Sequence, residues 1–179
     1  MTLVEAIVGK ISHDLAGSVG AVASTIDLLN IDPSFQSEAS PMLKKSTDIL
    51  MARLRYYRAL FGAETKSIDQ RLILDFLETL GQKITFQGDP CDRLDLSLIS
   101  VGISLLGQGG SIQFKKNELI LKGPEILGRP EFKEILTGKN PQITPENVEC
   151  YWFLDILKKE KLTLKTEFKT TTAKLLIIC

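Results

Sequence analysis

One histidine occurs in the 179-residue chain, His13, within "GKISHDLAGSVGAVASTIDLLN" (residues 9–30). Asp14 follows it directly and Lys10 stands about one helical turn before it. Cys91, Cys150 and Cys179 lie far apart, without metal-ligand spacing or a CxxC pair. An exposed imidazole without a catalytic serine, cysteine or metal site still has a chemistry of its own. A ring nitrogen can take up a phosphoryl group and pass it to an aspartate of another protein, a transfer that rests on positioning and charge compensation. Lys10 is placed to offset charge on the phosphoryl oxygens. Asp14 is turned about 100° from His13 around a helix, so contact between the two depends on their rotamers.

The element that must hold this imidazole is a long helix. Val8, Leu15, Val22 and Leu29 recur every seven residues, with Ile11, Val19 and Ile26 between them. That pattern predicts a narrow apolar seam. His13 lies about 200° from Ile11 and from Leu15, which points it to solvent. Its neighbours on that face are Ala6, Gly9, Lys10, Ala16, Gly17 and Gly20. Each interior glycine costs about 1 kcal/mol against alanine, so Gly9, Gly17 and Gly20 together cost the helix roughly 2–3 kcal/mol. A solvated face without a task does not need them. Either two helices pack closely there, or a partner's backbone approaches the imidazole. In the second case Gly17, Ser18, Gly20 and Ser24 form the docking face.

A second helix is predicted after "NIDPSFQSEASP", with Ser40 and Pro41 as N-cap and first-turn residue, running to about Ala63. Leu43, Leu50, Leu54, Tyr57 and Phe61 share one side, and Met42, Ile49 and Leu60 widen it. An antiparallel hairpin turning at residues 35–36 sets Arg58 level with His13 and Arg55 one turn away. "RLRYYR" then adds positive charge beside the site, or else forms an ordinary solvated face. A lone two-helix hairpin buries too little to be stable. It pairs with a second copy as a four-helix bundle, or it packs on its own C-terminal half.

From about Ser67 helices and strands alternate. "IDQRLILDFLETLG" is helical, "KITFQG" a strand and "DRLDLSLISVGISLLG" a largely buried helix. "SIQFKKNELILKG" is a hairpin turning near Lys116-Asn117, and "RPEFKEILTG" a short helix ending at a glycine. "TPENVECYWFLDILKKEK" opens a helix at Thr144-Pro145 and closes on a basic turn. "LTLKTEFK" and "AKLLIIC" are strands. The expected class is α+β, with a helical hairpin over 1–65 and a two-layer α/β sandwich with a mostly antiparallel sheet over 66–179.

Composition narrows the function classes. Twenty-two basic residues balance 22 acidic ones, which argues against nucleic acid as a partner. No apolar run predicts a membrane span, and "MTLVEAIVGK" lacks the features of a signal peptide. With an odd number of scattered cysteines, a reducing cytoplasm is the expected location.

"ISHDL" at the start of a long helix, followed by an arginine-bearing helix, resembles the dimerisation and phosphotransfer domain of two-component histidine kinases. The chain is more closely similar to the ChpT-type histidine phosphotransferases of alphaproteobacterial phosphorelays. It carries their "HDL" as His13-Asp14-Leu15, their "VGA" as Val19-Gly20-Ala21 and their "E/D-LL" as Asp27-Leu28-Leu29. "ITPENVECYWFLDILKKEKLTLKTEF" (residues 143–168) resembles their last helix and strand. The resemblance implies a homodimer with a central four-helix bundle and His13 as phosphoacceptor. It also implies an ATPase-like C-terminal domain that has lost its nucleotide site.

The implied partners are receiver domains of a hybrid histidine kinase and of response regulators. Mg²⁺ is held by those receivers, and the chain needs no cofactor of its own. Two departures from the family pattern stand out: Ser18 replaces a proline, and Gly17 replaces a polar residue that can orient a water for dephosphorylation. Independently, "DRLDLSLISVGISLL" has no asparagine for Mg²⁺, no DxGxG occurs, and "GQGGS" (107–111) suits a helix-to-strand turn. ATP-driven autophosphorylation is not expected. The rival readings are a catalytically silent bundle that scaffolds or sequesters response regulators, and a true kinase core that binds ATP.

Overall fold

The computed structural model describes residues 1–62, 68–90, 92–126, 130–139 and 141–178. The expected boundary at 65–66, the expected helix end at Ala63, and Cys91 and Cys179 lie outside these residues.

Helix α1 spans Leu3–Ile31. Thr2 and Glu5 form a capping box, with the Thr2 amide donating to Glu5 Oε2 at 2.7 Å and the Glu5 amide to Thr2 Oγ1 at 3.2 Å. A 3₁₀ turn over Pro33–Phe35 leads into α2, Gln36–Phe61. The helix therefore starts before the Ser40-Pro41 pair, and Pro41 lies inside it. The 3₁₀ turn has already nucleated the helix. Pro41 is solvent-exposed, so the carbonyl that its missing N–H leaves free sits beside water.

The seam of α1 is rotated from the one expected. Ile11, Leu15, Ser18, Val22, Thr25 and Leu29 form the buried or half-buried row, at alternating spacings of four and three. Thr25 satisfies its hydroxyl by donating to the Ala21 carbonyl at 2.7 Å. Val8, Val19 and Ile26 are 57%, 52% and 46% exposed and make a separate stripe.

The described strands form one five-stranded sheet in the order β1-β2-β3-β5-β4. They are β1 Ile84–Gln87, β2 Gly110–Lys115, β3 Glu118–Lys122, β4 Thr163–Phe168 and β5 Thr172–Ile178. Only the β1–β2 pairing is parallel. Lys116 and Asn117 both have positive φ (37° and 61°), as a tight two-residue hairpin requires.

One face of the sheet carries Phe86, Ile112, Phe114, Leu119, Leu121, Ala173, Leu175 and Ile177 into the core. Helices α3 (Gln70–Glu78), α4 (Arg93–Leu105), α5 (Pro130–Leu136) and α6 (Val148–Lys159) pack against it. Helix α4 is buried almost all round, as its predominantly apolar sequence predicts, with Asp95, Ser97 and Ser100 among its buried residues. Helix α6 begins three residues later than Thr144-Pro145 would set it. The Asn147 side chain accepts from the Thr144 amide (2.9 Å) and donates to the Gln142 carbonyl (3.0 Å), which closes a turn first.

The hairpin is not isolated from this core. Tyr56, Tyr57 and Leu60 of α2 are buried in it, and Tyr56 stacks on Phe76 of α3 (3.7 Å between centroids, 6° between planes). Of the two packings the sequence left open, the alternative to dimerisation, packing on the C-terminal half, is seen at this end. Among the described residues, no helix is long and apolar enough to cross a membrane.

Candidate functional site

The inward row of α1 meets α2 and α6 near its first third, and His13 stands at that point on the outward side. Its side chain is 86% exposed. Nδ1 lies 3.0 Å from Asp14 Oδ1, so the rotamers do bring the two side chains together. Asp14 Oδ2 accepts from the Tyr57 hydroxyl of α2 and lies 2.9 Å from Lys10 Nζ. The Asp14 carbonyl accepts from Arg53 Nη1, whose guanidinium also donates to Thr79 Oγ1 (3.2 Å) and the Thr79 carbonyl (2.8 Å). Arg53 thus fastens α1, α2 and the end of α3 at the level of the histidine.

The electrostatics fix the proton positions. Burial alone would raise the Asp14 pKa, but the hydrogen bonds from Tyr57 and His13 and the Lys10 ammonium outweigh it and hold the carboxyl below its ordinary value. Asp14 is therefore a carboxylate at neutral pH and can only accept. The proton between Asp14 and His13 belongs to Nδ1. In the neutral ring, Nε2 keeps its lone pair and faces solvent. The Tyr57 pKa is raised, first by burial and then by its hydrogen bond to Asp14, which keeps the phenol a donor.

Beside the imidazole lies a cleft of about 270 Å³ where α1 meets the α/β half. Lys10, His13, Asp14 and Tyr57 line it, together with Ser100, Ser104 and Glu149. Lys10 Nζ stands 3.8 Å from Glu149 Oε1, which bridges α1 to α6.

No protein-family model matches the chain, and no curated protein matches it. Among solved structures, that of a bacterial phosphotransferase aligns with 98% of this chain and 95% of its own, at a TM-score of 0.79 and 19% sequence identity. This chain has that protein's fold. The Acinetobacter baumannii histidine kinase AdeS aligns with 92% of this chain and 95% of its own at 12% identity. Its TM-score of 0.32 is too low to bear on the fold.

The expected site residues do not all fall where the sequence set them. His13 and Asp14 are in contact, as above. Lys10 is within reach of the site, but its ammonium is engaged by Asp14 and Glu149 rather than held free. Gly17 and Gly20 are exposed, and a Cβ added at either meets nothing within 4 Å. Ser24 is exposed as expected. Ser18 is not on the docking face: it is 8% exposed and lies on the inward row, four residues after Asp14. Gly9 is not clearance for a visitor either. A Cβ there would lie 3.2 Å from Pro145 Cγ, so this glycine lets α1 approach the turn before α6.

Arg55 and Arg58 are exposed and do not line the cleft at His13. Arg55 lines a separate groove with Lys44, Lys45 and Arg71. The level estimated from a turn at residues 35–36 is right, since Asp14 meets Tyr57. The face is wrong: in "RLRYYR" the inward positions are Arg53, Tyr56 and Tyr57, and the row continues at Leu60. Arg53 and Tyr57 were legible as an i, i+4 pair continued by Leu60 at i+7. Glu149 carries no comparable sequence signal.

Proposed function

We propose that this protein is a phosphorelay histidine phosphotransferase. His13 takes a phosphoryl group from a receiver-domain aspartate of a hybrid histidine kinase and delivers it to the receiver aspartate of a response regulator. The observation that carries this reading is an exposed imidazole whose Nδ1 proton is held by a carboxylate, leaving Nε2 as a free nucleophile. Nε2 forms the N–P bond as the P–O bond of the donor aspartyl phosphate breaks, and that electron pair leaves with the donor carboxylate. Nδ1 keeps its proton, and Asp14 balances the charge the ring acquires. A protonated ring is a good leaving group, so the same arrangement serves the onward transfer.

Gly17, Gly20 and Ser24 form the open docking surface beside His13, and Mg²⁺ is supplied by the receivers. The exposed stripe of Val8, Val19 and Ile26 pairs with a second copy, completing a four-helix bundle from two hairpins. In this reading residues 1–65 are the phosphotransfer part, and residues 66–179 are an ATPase-like part without nucleotide chemistry. A protein monomeric in sedimentation at micromolar concentration contradicts the pairing.

Incubation with a radiolabelled phospho-receiver tests the function. Acid-labile label appears on the wild type and is absent from His13→Ala. Equal receiver binding with no label on either protein favours the scaffold reading, and labelling by ATP alone favours the kinase reading.

A further inference from the structure

We propose that Tyr57 is a positioning residue for the reacting histidine: its hydroxyl fixes the Asp14 carboxylate, and through it the orientation of the His13 ring. This rests on the reading of His13 as phosphoacceptor. Tyr57 is on α2, 3% exposed, and its ring is held on several sides. It stacks with Phe61 (6.1 Å, 13°) and meets Phe76 (5.8 Å, 72°) and Tyr56 (5.8 Å, 75°) edge-on. Its hydroxyl leaves this aromatic cluster to donate to Asp14 Oδ2, while Oδ1 of the same carboxylate takes the His13 Nδ1 proton.

Lys10 is the other side-chain donor to Oδ2, but it differs in kind. It sits on a flexible four-carbon stem and is shared with Glu149. The tyrosine has two side-chain torsions, both fixed by packing, and is the rigid end of the chain of contacts. A solvated imidazole on a helix surface would otherwise sample several rotamers and both tautomers. The Tyr57–Asp14–His13 line selects the Nδ1–H form and one ring plane, so that Nε2 meets the donor phosphorus in line as the N–P bond forms and the donor P–O bond breaks. The core of the α/β half thereby sets the geometry of a group that stands outside it.

Tyr57→Phe keeps the ring and its apolar contacts and removes only the hydroxyl. The expected result is a transfer rate from a phospho-receiver lowered about tenfold, with the receiver Kd unchanged. With imidazole-¹⁵N labelling, the single histidine gives one pair of ring nitrogens. In the variant their shifts move toward the Nε2–H tautomer. In an Asp14→Ala background, which shows the same tautomer shift, Tyr57→Phe changes neither rate nor tautomer further. Unchanged tautomer populations in Tyr57→Phe overturn the proposal, as does a loss that adds fully to that of Asp14→Ala. A Kd that rises in step with the loss of rate overturns it too. Absence of phosphohistidine on the wild type would sink the reading of His13 instead, and the tautomer comparison, which needs no receiver, still decides the role of Tyr57.

Discussion

The two sides of α1 at residues 10–20 differ sharply over a single turn. On the outer side, His13 is almost fully solvated, and Gly17 and Gly20 open onto space that none of the described residues fills. On the inner side, the next residue, Asp14, is held by Tyr57, Lys10 and His13 through its carboxylate and by Arg53 through its carbonyl. Four residues on, Ser18 is buried. The contrast teaches how a reactive group can be both accessible and oriented. The side chain proposed to meet a partner is left free of the core, and its neighbour in sequence is tied to the core.

The contrast can be broken from the inner side first. Asp14→Asn removes the negative charge and leaves one acceptor oxygen where His13, Tyr57 and Lys10 now share two, and the transfer rate falls tenfold or more while receiver affinity holds. Rapid-quench transfer assays against a fixed phospho-receiver check this. An Asp14→Asn protein that transfers at the wild-type rate removes the charge of Asp14 from the account. The same residue sets a pH dependence of stability. Because its folded pKa is lowered, its contribution is fully present above its ordinary value of about 3.8 and is lost as pH falls through the folded value. Acid unfolding of Asp14→Asn should lack that component.

Arg53→Met acts on the frame rather than the chemistry. It removes three partly buried hydrogen bonds from a charged group, at about 2 kcal/mol in all after partial repair by water. In thermal unfolding that is a fall in Tm of roughly 4–8 °C for a chain of this size. An unchanged Tm would mean that Arg53 does not fasten the three helices.

On the outer side the sign reverses. Gly17→Ala and Gly20→Ala each raise helix stability by up to about 1 kcal/mol, because an added Cβ meets none of the described residues within 4 Å. Both should weaken binding of a receiver that needs the cleared face. Stabilised variants with undiminished receiver binding would show that the glycines serve no docking partner.

Much of the fold was legible in the sequence, because its signals are local. The Lys116-Asn117 hairpin, the buried α4 and the glycine-terminated α5 follow from turn chemistry and apolar pattern alone. Element starts were less legible where a turn intervened, as the 3₁₀ segment before α2 and the Asn147 bridge before α6 show. His13 could be read as outward-facing from helical angles. The seam could not be fixed as surely, because two apolar stripes run along α1, one toward α2 and one exposed. Which stripe lies inward decides whether Ser18 is surface or core, and only packing against Arg53 and Tyr57 settles that. Glu149 was out of reach, since the order in which α6 lies against α1 is a tertiary fact.

The central claim is that Nε2 of His13 is the phosphoryl acceptor because Asp14 holds the other ring nitrogen. It is tested most directly by phosphorylating imidazole-¹⁵N-labelled protein with a phospho-receiver and recording nitrogen and phosphorus spectra of its one histidine. The account predicts phosphorus coupled to Nε2, with Nδ1 still bearing its proton. Phosphorus on Nδ1, or no phosphohistidine at all, would contradict it.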